Sequence, residues 1–127
     1  MAYVIGQAGP ERDLVERTLR EVTGMAVSGG VASKATLSAL GSRNVRLIAV
    51  SAGALESVGF RNEFALRCHQ PRLGSVPVFV YGDGPAADAA AERMPGLTPV
   101  GHAGSIGDLR SRLRAGIRAI DDGAVAV

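Results

Sequence analysis

The sequence predicts an α/β domain in which helices cover both faces of a parallel β-sheet. Five short apolar runs alternate with five helical patterns, Gly and Pro residues separate them, and the strongest runs are apolar at consecutive positions. Strands that alternate with helices imply parallel pairing through helical crossovers, and parallel strands buried on both sides read as continuous apolar runs. A chain of 127 residues is long enough for one domain with its own core.

The strands are recognised as short apolar runs that end at turn residues. The strongest runs are VRLIAV at 45–50 and VPVFVY at 76–81, and Pro77 stands near the start of the second, where proline is tolerated. The predicted strands cover residues 3–5, 25–27, 45–50, 76–81 and 97–100.

The helices are recognised from apolar residues that recur at three- and four-residue steps. Pro10 suits the first turn of the first helix, and Gly24 is its expected C-terminal stop. In the third helix we expect Phe64 and Leu66 to lie in the core. The four later helices are predicted over residues 33–40, 60–68, 86–94 and 106–120.

Composition excludes several classes of function. Fourteen basic residues against twelve acidic ones give a net charge of +2, which is no footprint for nucleic acid. A single cysteine, Cys68, excludes an internal disulfide framework and a multi-cysteine zinc site. The chain has no apolar run long enough to span a membrane and no basic leader segment. We therefore expect a cytoplasmic protein without a membrane partner, a metal or a cofactor.

The spacing around the third strand resembles the receiver domains of bacterial response regulators. This strand ends at Ser51, Gly59 follows eight residues later, and Arg67 follows after eight more, before a hydrophobic-Pro-hydrophobic fourth strand. The segment 101–109 is similar to the one that holds the family's conserved lysine, and His102 takes the position of that lysine. The resemblance covers essentially the whole chain. It implies a receiver or flavodoxin-like fold, a three-layer (βα)5 doubly wound sheet with strand order 2-1-3-4-5.

Each position of the family's phosphorylation switch carries a different residue in this chain. The family has an acidic pair after strand 1, the phosphorylated Asp at the end of strand 3, a Thr or Ser after strand 4 and a Lys after strand 5. It also usually has Tyr or Phe in strand 5, where this chain has Pro99. The residues that stand at the switch positions, and form a degenerate phosphoacceptor pocket, are Gly6, Gln7, Ser51, Gly82 and His102.

These replacements remove the chemistry of phosphoryl transfer. Transfer from a kinase histidine needs a carboxylate nucleophile and a metal ion that neutralises the phosphoryl oxygens, and Mg²⁺ prefers carboxylates and water. Gly6 has no side chain, Gln7 has only a neutral oxygen, and Ser51 is a poor nucleophile without an adjacent base. The only lysine, Lys34, lies in the second helix. We therefore predict a phosphorylation-independent pseudo-receiver that has no catalytic residue.

The end of the chain indicates how such a module would act. The stretch 113–123 resembles the end of receivers in NarL/LuxR-type transcriptional regulators. This implies an N-terminal receiver over residues 1–120, a linker or tail over 121–127, and DNA contact only through a domain outside this chain. We expect a homodimer, or contact with a protein partner or a small-molecule effector. The last helix and strand 5 are usually the dimer surface in receivers, so the candidate dimer face is Pro99, Arg110, Leu113, Arg114 and Ile117.

Two alternatives stay open beside this regulatory interpretation. Atypical receivers also serve as localisation domains of ATPases, as in pilus-assembly proteins. Ser51, Asp83 and His102 follow the order nucleophile, acid, histidine of α/β-hydrolases, and all three are expected at the carboxyl ends of strands. A small hydrolase or ligand-binding flavodoxin-like protein could thus use Ser51 and His102. The stretch AVSAG at 49–53 lacks the first glycine of G-x-S-x-G, and the chain is short for that fold.

Overall fold

The computed structural model describes residues 1–71, 73–94, 96–102 and 106–126, and for residues 102, 106, 107 and 120–126 it describes the backbone alone. Its strands form one parallel sheet in the order β2-β1-β3-β4-β5. These strands are β1 (Ala2–Ile5), β2 (Val27–Gly30), β3 (Leu47–Ser51), β4 (Val78–Asp83) and β5 (Leu97–His102). The helices are α1 (Pro10–Thr23), α2 (Lys34–Ser42), α3 (Val58–Cys68), α4 (Gly84–Arg93) and α5 (Ile106–Ala126), with a 3-10 turn at Ala54–Glu56. The predicted fold class and sheet order are confirmed.

Two apolar clusters lie on opposite faces of the sheet. Successive strand residues alternate between them, so Ile5 packs in the cluster with α2, α3 and α4, whereas Val4 packs in the cluster with α1 and α5. Phe64 is fully buried as predicted. The prediction for Leu66 is wrong, because its side chain is 63% exposed. Two residues along a helix turn the side chain by about 200°, which places Leu66 on the side of α3 opposite Phe64.

Several strand ends differ from the sequence-based prediction, and the largest extensions, in β2, β4 and β5, lie at the carboxyl edge of the sheet. β4 continues past residue 81 to Asp83, because Gly82 and Asp83 stay in register with Gly101 and His102 of β5. β2 begins at Val27 and runs to Gly30, so it includes small residues that are poor strand formers. Pairing with β1 therefore overrides local propensity in β2.

The last helix is longer than predicted. It runs from Ile106 to Ala126 and so passes the expected end at residue 120. The segment 121–126, which the sequence indicates as a linker or tail, continues α5 as helical backbone. None of the described helices combines the length and the apolar character that crossing a lipid bilayer requires.

Cys68 is a partly buried packing residue at the end of α3. It lines a small cavity of about 140 Å³ together with Leu73 and Val78. Burial raises the pKa of the Cys68 thiol to about 11. Because the thiolate is the reactive form of cysteine, this side chain is a weak nucleophile near neutral pH.

Replacing Gly24 by alanine is expected to lower the free energy of unfolding by about 1 kcal/mol. Gly24 ends α1 in the left-handed region at φ 69°, and its N–H donates to the carbonyl of Arg20. Urea denaturation measures the change. Gly59→Ala is the matched control, since an added Cβ meets nothing within 4 Å in α3, and it should leave stability unchanged or slightly raised. Equal effects of the two substitutions would contradict the assigned backbone conformation.

Candidate functional site

The candidate site lies at the carboxyl edge of the sheet, where β1 and β3 are neighbours. The chain leaves β1 toward α1 on one face and leaves β3 toward α3 on the other, so a crevice opens between the two strand ends. A cleft of about 530 Å³ occupies this position. Its polar side chains are Gln7, Glu11, Arg12, Ser51, Glu56 and Tyr81.

Tyr81 fills the bottom of the cleft. Its ring is buried on the α1 and α5 side of β4, and its hydroxyl donates a hydrogen bond to the carbonyl of Ile5 at 3.1 Å. Burial raises the pKa of Tyr81, the charge of Glu11 raises it further, and Arg12 together with the Ser51 hydroxyl lowers it in part. The phenol therefore stays protonated and acts as a fixed donor at the end of β1.

The Tyr81 hydroxyl also explains the glycine that follows β1. A Cβ atom built on Gly6 would overlap the Tyr81 oxygen and would lie 3.2 Å from the Oγ of Ser51. No side chain fits at position 6 while Tyr81 holds this rotamer. A phenol thus lies against the position where the receiver family has the first acid of its pair.

Arg12 adds a permanent positive charge beside the phenol. Its Nη1 donates to the carbonyl of Gly6 at 3.0 Å, and its Nε lies 3.6 Å from Oε1 of Glu16. The two side chains are only 18% and 16% exposed, so this ion pair is largely shielded from water. The buried Nε makes no hydrogen bond to the described residues. The guanidinium therefore fills space and places a positive charge at the carboxyl end of β1.

Ser51, at the end of β3, is engaged by a structural hydrogen bond. Its Oγ accepts from the backbone N–H of Ala54 at 3.1 Å, and it lies on the same side of Gly6 as the Tyr81 phenol. Neither of these neighbours is a base that could activate the hydroxyl. The serine therefore helps to fix the 3-10 turn after β3.

Gly82 lies in β4, at the position that the resemblance aligns with the Thr or Ser of receivers. Its φ of 138° is a conformation that side-chain-bearing residues rarely adopt, although an added Cβ would meet Ala52 only at ordinary contact distance. A threonine or serine at this position would therefore carry backbone strain. Asp83 follows as an exposed residue at the end of β4.

The remaining two residues of the predicted degenerate phosphoacceptor pocket lie in different places, Gln7 after β1 and His102 in β5. Gln7 is exposed and lines the cleft. The backbone of His102 pairs with Asp83 at the end of β5, while its side chain lies outside the described part of the structure. Gly6, Gln7 and Ser51 are thus brought together at the cleft, and His102 is two strands away from β3.

The strand ends at the cleft do not offer the donors that Mg²⁺, the ion of receiver chemistry, requires. Mg²⁺ demands near-octahedral oxygen coordination from carboxylates and water. Gly6 contributes no side chain, and its carbonyl already accepts a hydrogen bond from Arg12. The Arg12 cation would also repel a metal ion at this carbonyl. Within the described residues, no group of three or more His, Cys, Asp or Glu side chains could hold a metal ion.

The candidate dimer face is split between core and surface. Leu113 and Ile117 are buried against the sheet. Arg110 and Arg114 are exposed, and both lie beside Glu21 of α1, whose Oε2 is 2.8 Å and 3.7 Å from their respective Nη2 atoms. Pro99 is exposed on β5, the edge strand. Any partner on this face would therefore meet Pro99 and the arginines first.

Sequence reasoning missed Tyr81 and Arg12, the two residues that determine the character of the cleft. Tyr81 directly precedes Gly82 and reads as one more apolar residue of β4, while Arg12 reads as part of the solvated side of α1. One signal was available: Tyr81 is the last residue of the predicted fourth strand, and Gly6 directly follows the first.

The fold is shared with a chemotaxis response regulator. The solved structure of CheY4 of Vibrio cholerae superposes with a TM-score of 0.68 over 90% of this chain and 95% of that chain, at 13% sequence identity. This similarity defines the class of fold, the receiver fold. No protein-family profile matches the chain, and no curated protein matches it by sequence.

Proposed function

We propose that this protein is a phosphorylation-independent signalling module with a receiver fold. The observation that supports this most directly is the packing of the Tyr81 hydroxyl against Gly6, where a receiver has an acid. The module acts in the cytoplasm through contact with a protein, either a second copy of itself or another partner. As the N-terminal domain of a transcriptional regulator, it would pass this contact to a DNA-binding domain beyond α5. The continuous helix up to Ala126 supports such a connection, because a helix transmits orientation better than a loose linker.

Phosphodonor treatment tests the first part of the proposal. Incubation with acetyl phosphate or beryllofluoride and Mg²⁺ should give no mass adduct and no shift of backbone amide signals in the NMR spectrum. The physical reason is that Gly6 and Ser51, at the ends of β1 and β3, provide no carboxylate that could act as the nucleophile or as a magnesium ligand. A phosphorylatable receiver in the same buffer serves as the positive control.

A stoichiometric adduct would contradict the proposal, and Ser51→Ala would then locate it. If the adduct disappears in this variant, the serine is a phosphoacceptor after all. If no adduct forms in either protein, Ser51→Ala should also leave partner binding unchanged, because the hydroxyl bonds only to the backbone of Ala54 within the described structure.

A further inference from the structure

An arginine-lined groove runs between α1 and α5, away from the cleft at the strand ends. Three neighbouring depressions form it, of about 50, 310 and 310 Å³. The first two share Glu21, and the last two share Val22 and Ile117, so they are continuous. The charged residues of this surface, which we name the arginine groove, are Arg17, Glu21, Arg46, Arg110, Arg114 and Arg118.

The groove concentrates positive charge in a chain that is otherwise close to neutral. Five arginines and one carboxylate give it a net charge of +4, whereas the whole chain carries +2. The remainder is therefore at −2. Glu21 is shared by Arg110 and Arg114, and no ion pair is seen for Arg17, Arg46 or Arg118 in the described part of the chain. Like charges that line one continuous groove raise the potential over it and attract an anionic partner.

The floor of the groove is apolar. Val22, Met25 and Ile117 line it, and Val22 is 37% exposed although it is a large hydrophobic residue. A surface with an apolar floor and a cationic rim suits an amphipathic segment that is apolar on one side and acidic at its edges.

We propose that the arginine groove binds an acidic amphipathic segment of a protein partner. This inference rests on the proposed function, since it names the surface and the chemistry of the partner through which the module would act. A second copy of the chain is disfavoured, because a symmetric interface would bring the same arginines against each other. Nucleic acid is disfavoured too, because Glu21 interrupts the basic surface and the overall charge is small.

The test is a titration of the full ¹⁵N-labelled chain with a synthetic helical peptide that has leucines on one face and glutamates along its edges. We expect saturable shifts of amide signals confined to α1, α5 and the start of β3, and much weaker binding of the same peptide with Gln in place of Glu. Arg17→Glu combined with Arg118→Glu should weaken binding at least about tenfold, since both reverse a rim charge that has no ion pair among the described residues.

Arg112→Glu is the matched control for the charge reversal. Arg112 is exposed on the same helix but pairs with Asp108 and does not line the groove, so binding should stay within about threefold of wild type. Arg118→Ala, a single exposed truncation, keeps the test valid if the double variant unfolds, and it should weaken binding by about threefold or more.

The proposal is overturned by several outcomes. The first is the absence of saturable peptide binding, and the second is an undiminished peptide affinity in the double variant or in Arg118→Ala. The third is a loss of peptide affinity in Arg112→Glu as large as that in the double variant. The fourth is tighter binding of a short DNA duplex than of the peptide. Sedimentation that shows a dimer dissolved by Arg118→Ala would assign the groove to a second copy instead. A mass measurement on the same sample after acetyl phosphate separates the two proposals: an adduct contradicts the proposed function, and failed peptide binding without an adduct contradicts only this inference.

Discussion

Replacing Gly6 by alanine is expected to lower the free energy of unfolding by about 3 kcal/mol. The new Cβ would overlap the Tyr81 hydroxyl and would press on Ser51 at 3.2 Å. Tyr81 cannot move aside cheaply, because its ring is buried and its hydroxyl is bound to the carbonyl of Ile5. Urea denaturation followed by circular dichroism measures the loss.

Two further variants make this expectation specific to the Gly6–Tyr81 contact. Gly53→Ala changes a helical-φ glycine of the same cleft where an added Cβ meets nothing within 4 Å, so stability should stay within about 0.5 kcal/mol. Tyr81→Phe removes the overlapping oxygen and should recover at least about 1 kcal/mol in the Gly6→Ala background. A Gly6→Ala protein as stable as Gly53→Ala would show that Tyr81 does not occupy this position.

Replacing Arg12 by alanine is expected to cost about 2 kcal/mol of stability. The change removes the hydrogen bond to the Gly6 carbonyl and leaves the Glu16 carboxylate without its cation. Glu16 is 16% exposed and its Oε1 lies against Gly29 of β2, so water cannot fully replace the guanidinium. Thermal unfolding by differential scanning calorimetry, together with urea denaturation, measures the effect.

The control for Arg12 is an arginine in a comparable pair at the surface. Arg112 lies 3.0 Å from Asp108 but is 55% exposed, so Arg112→Ala should change stability by less than about 0.5 kcal/mol. Glu16→Gln in the Arg12→Ala background should restore part of the loss, because it removes the uncompensated charge. If Arg12→Ala and Arg112→Ala cost the same, the Arg12 pair is solvated and the assignment of a shielded cation is wrong.

Both predictions concern the same cleft, in which the residues at the strand ends depend on each other for space. An acid at position 6 requires that Tyr81 leave, and a hydroxyl residue at position 82 requires a change of the backbone from φ 138°. An acid at position 6 or a hydroxyl residue at position 82 would therefore each strain the cleft as it is packed here.

The order of the elements could be predicted from local pattern. Pro10 and Gly24 bound α1, and the apolar runs of β3 and β4 identify the centre of a parallel sheet. The resemblance to receivers then supplied the strand order, which is confirmed. Ends of elements were less predictable: β2 includes Gly29 and Gly30, and its existence depends on hydrogen bonds from β1. Leu66 was misplaced because a helix with a weak apolar stripe does not reveal which side faces the core.

By itself, the sequence determined the fold class and the residue types at the positions that the resemblance aligns with a receiver's acids, hydroxyl residue and lysine, because each is a matter of residue type at a position along the chain. Only the tertiary structure decided which other side chains fill the space around these positions. Tyr81 reaches the carbonyl of Ile5, 76 residues earlier in the chain, because β1 and β4 flank β3 in the sheet. The arginine groove likewise combines α1 and α5, which are adjacent in space and far apart in sequence. Contacts of this kind depend on strand order and helix packing, and no local pattern of residues encodes them.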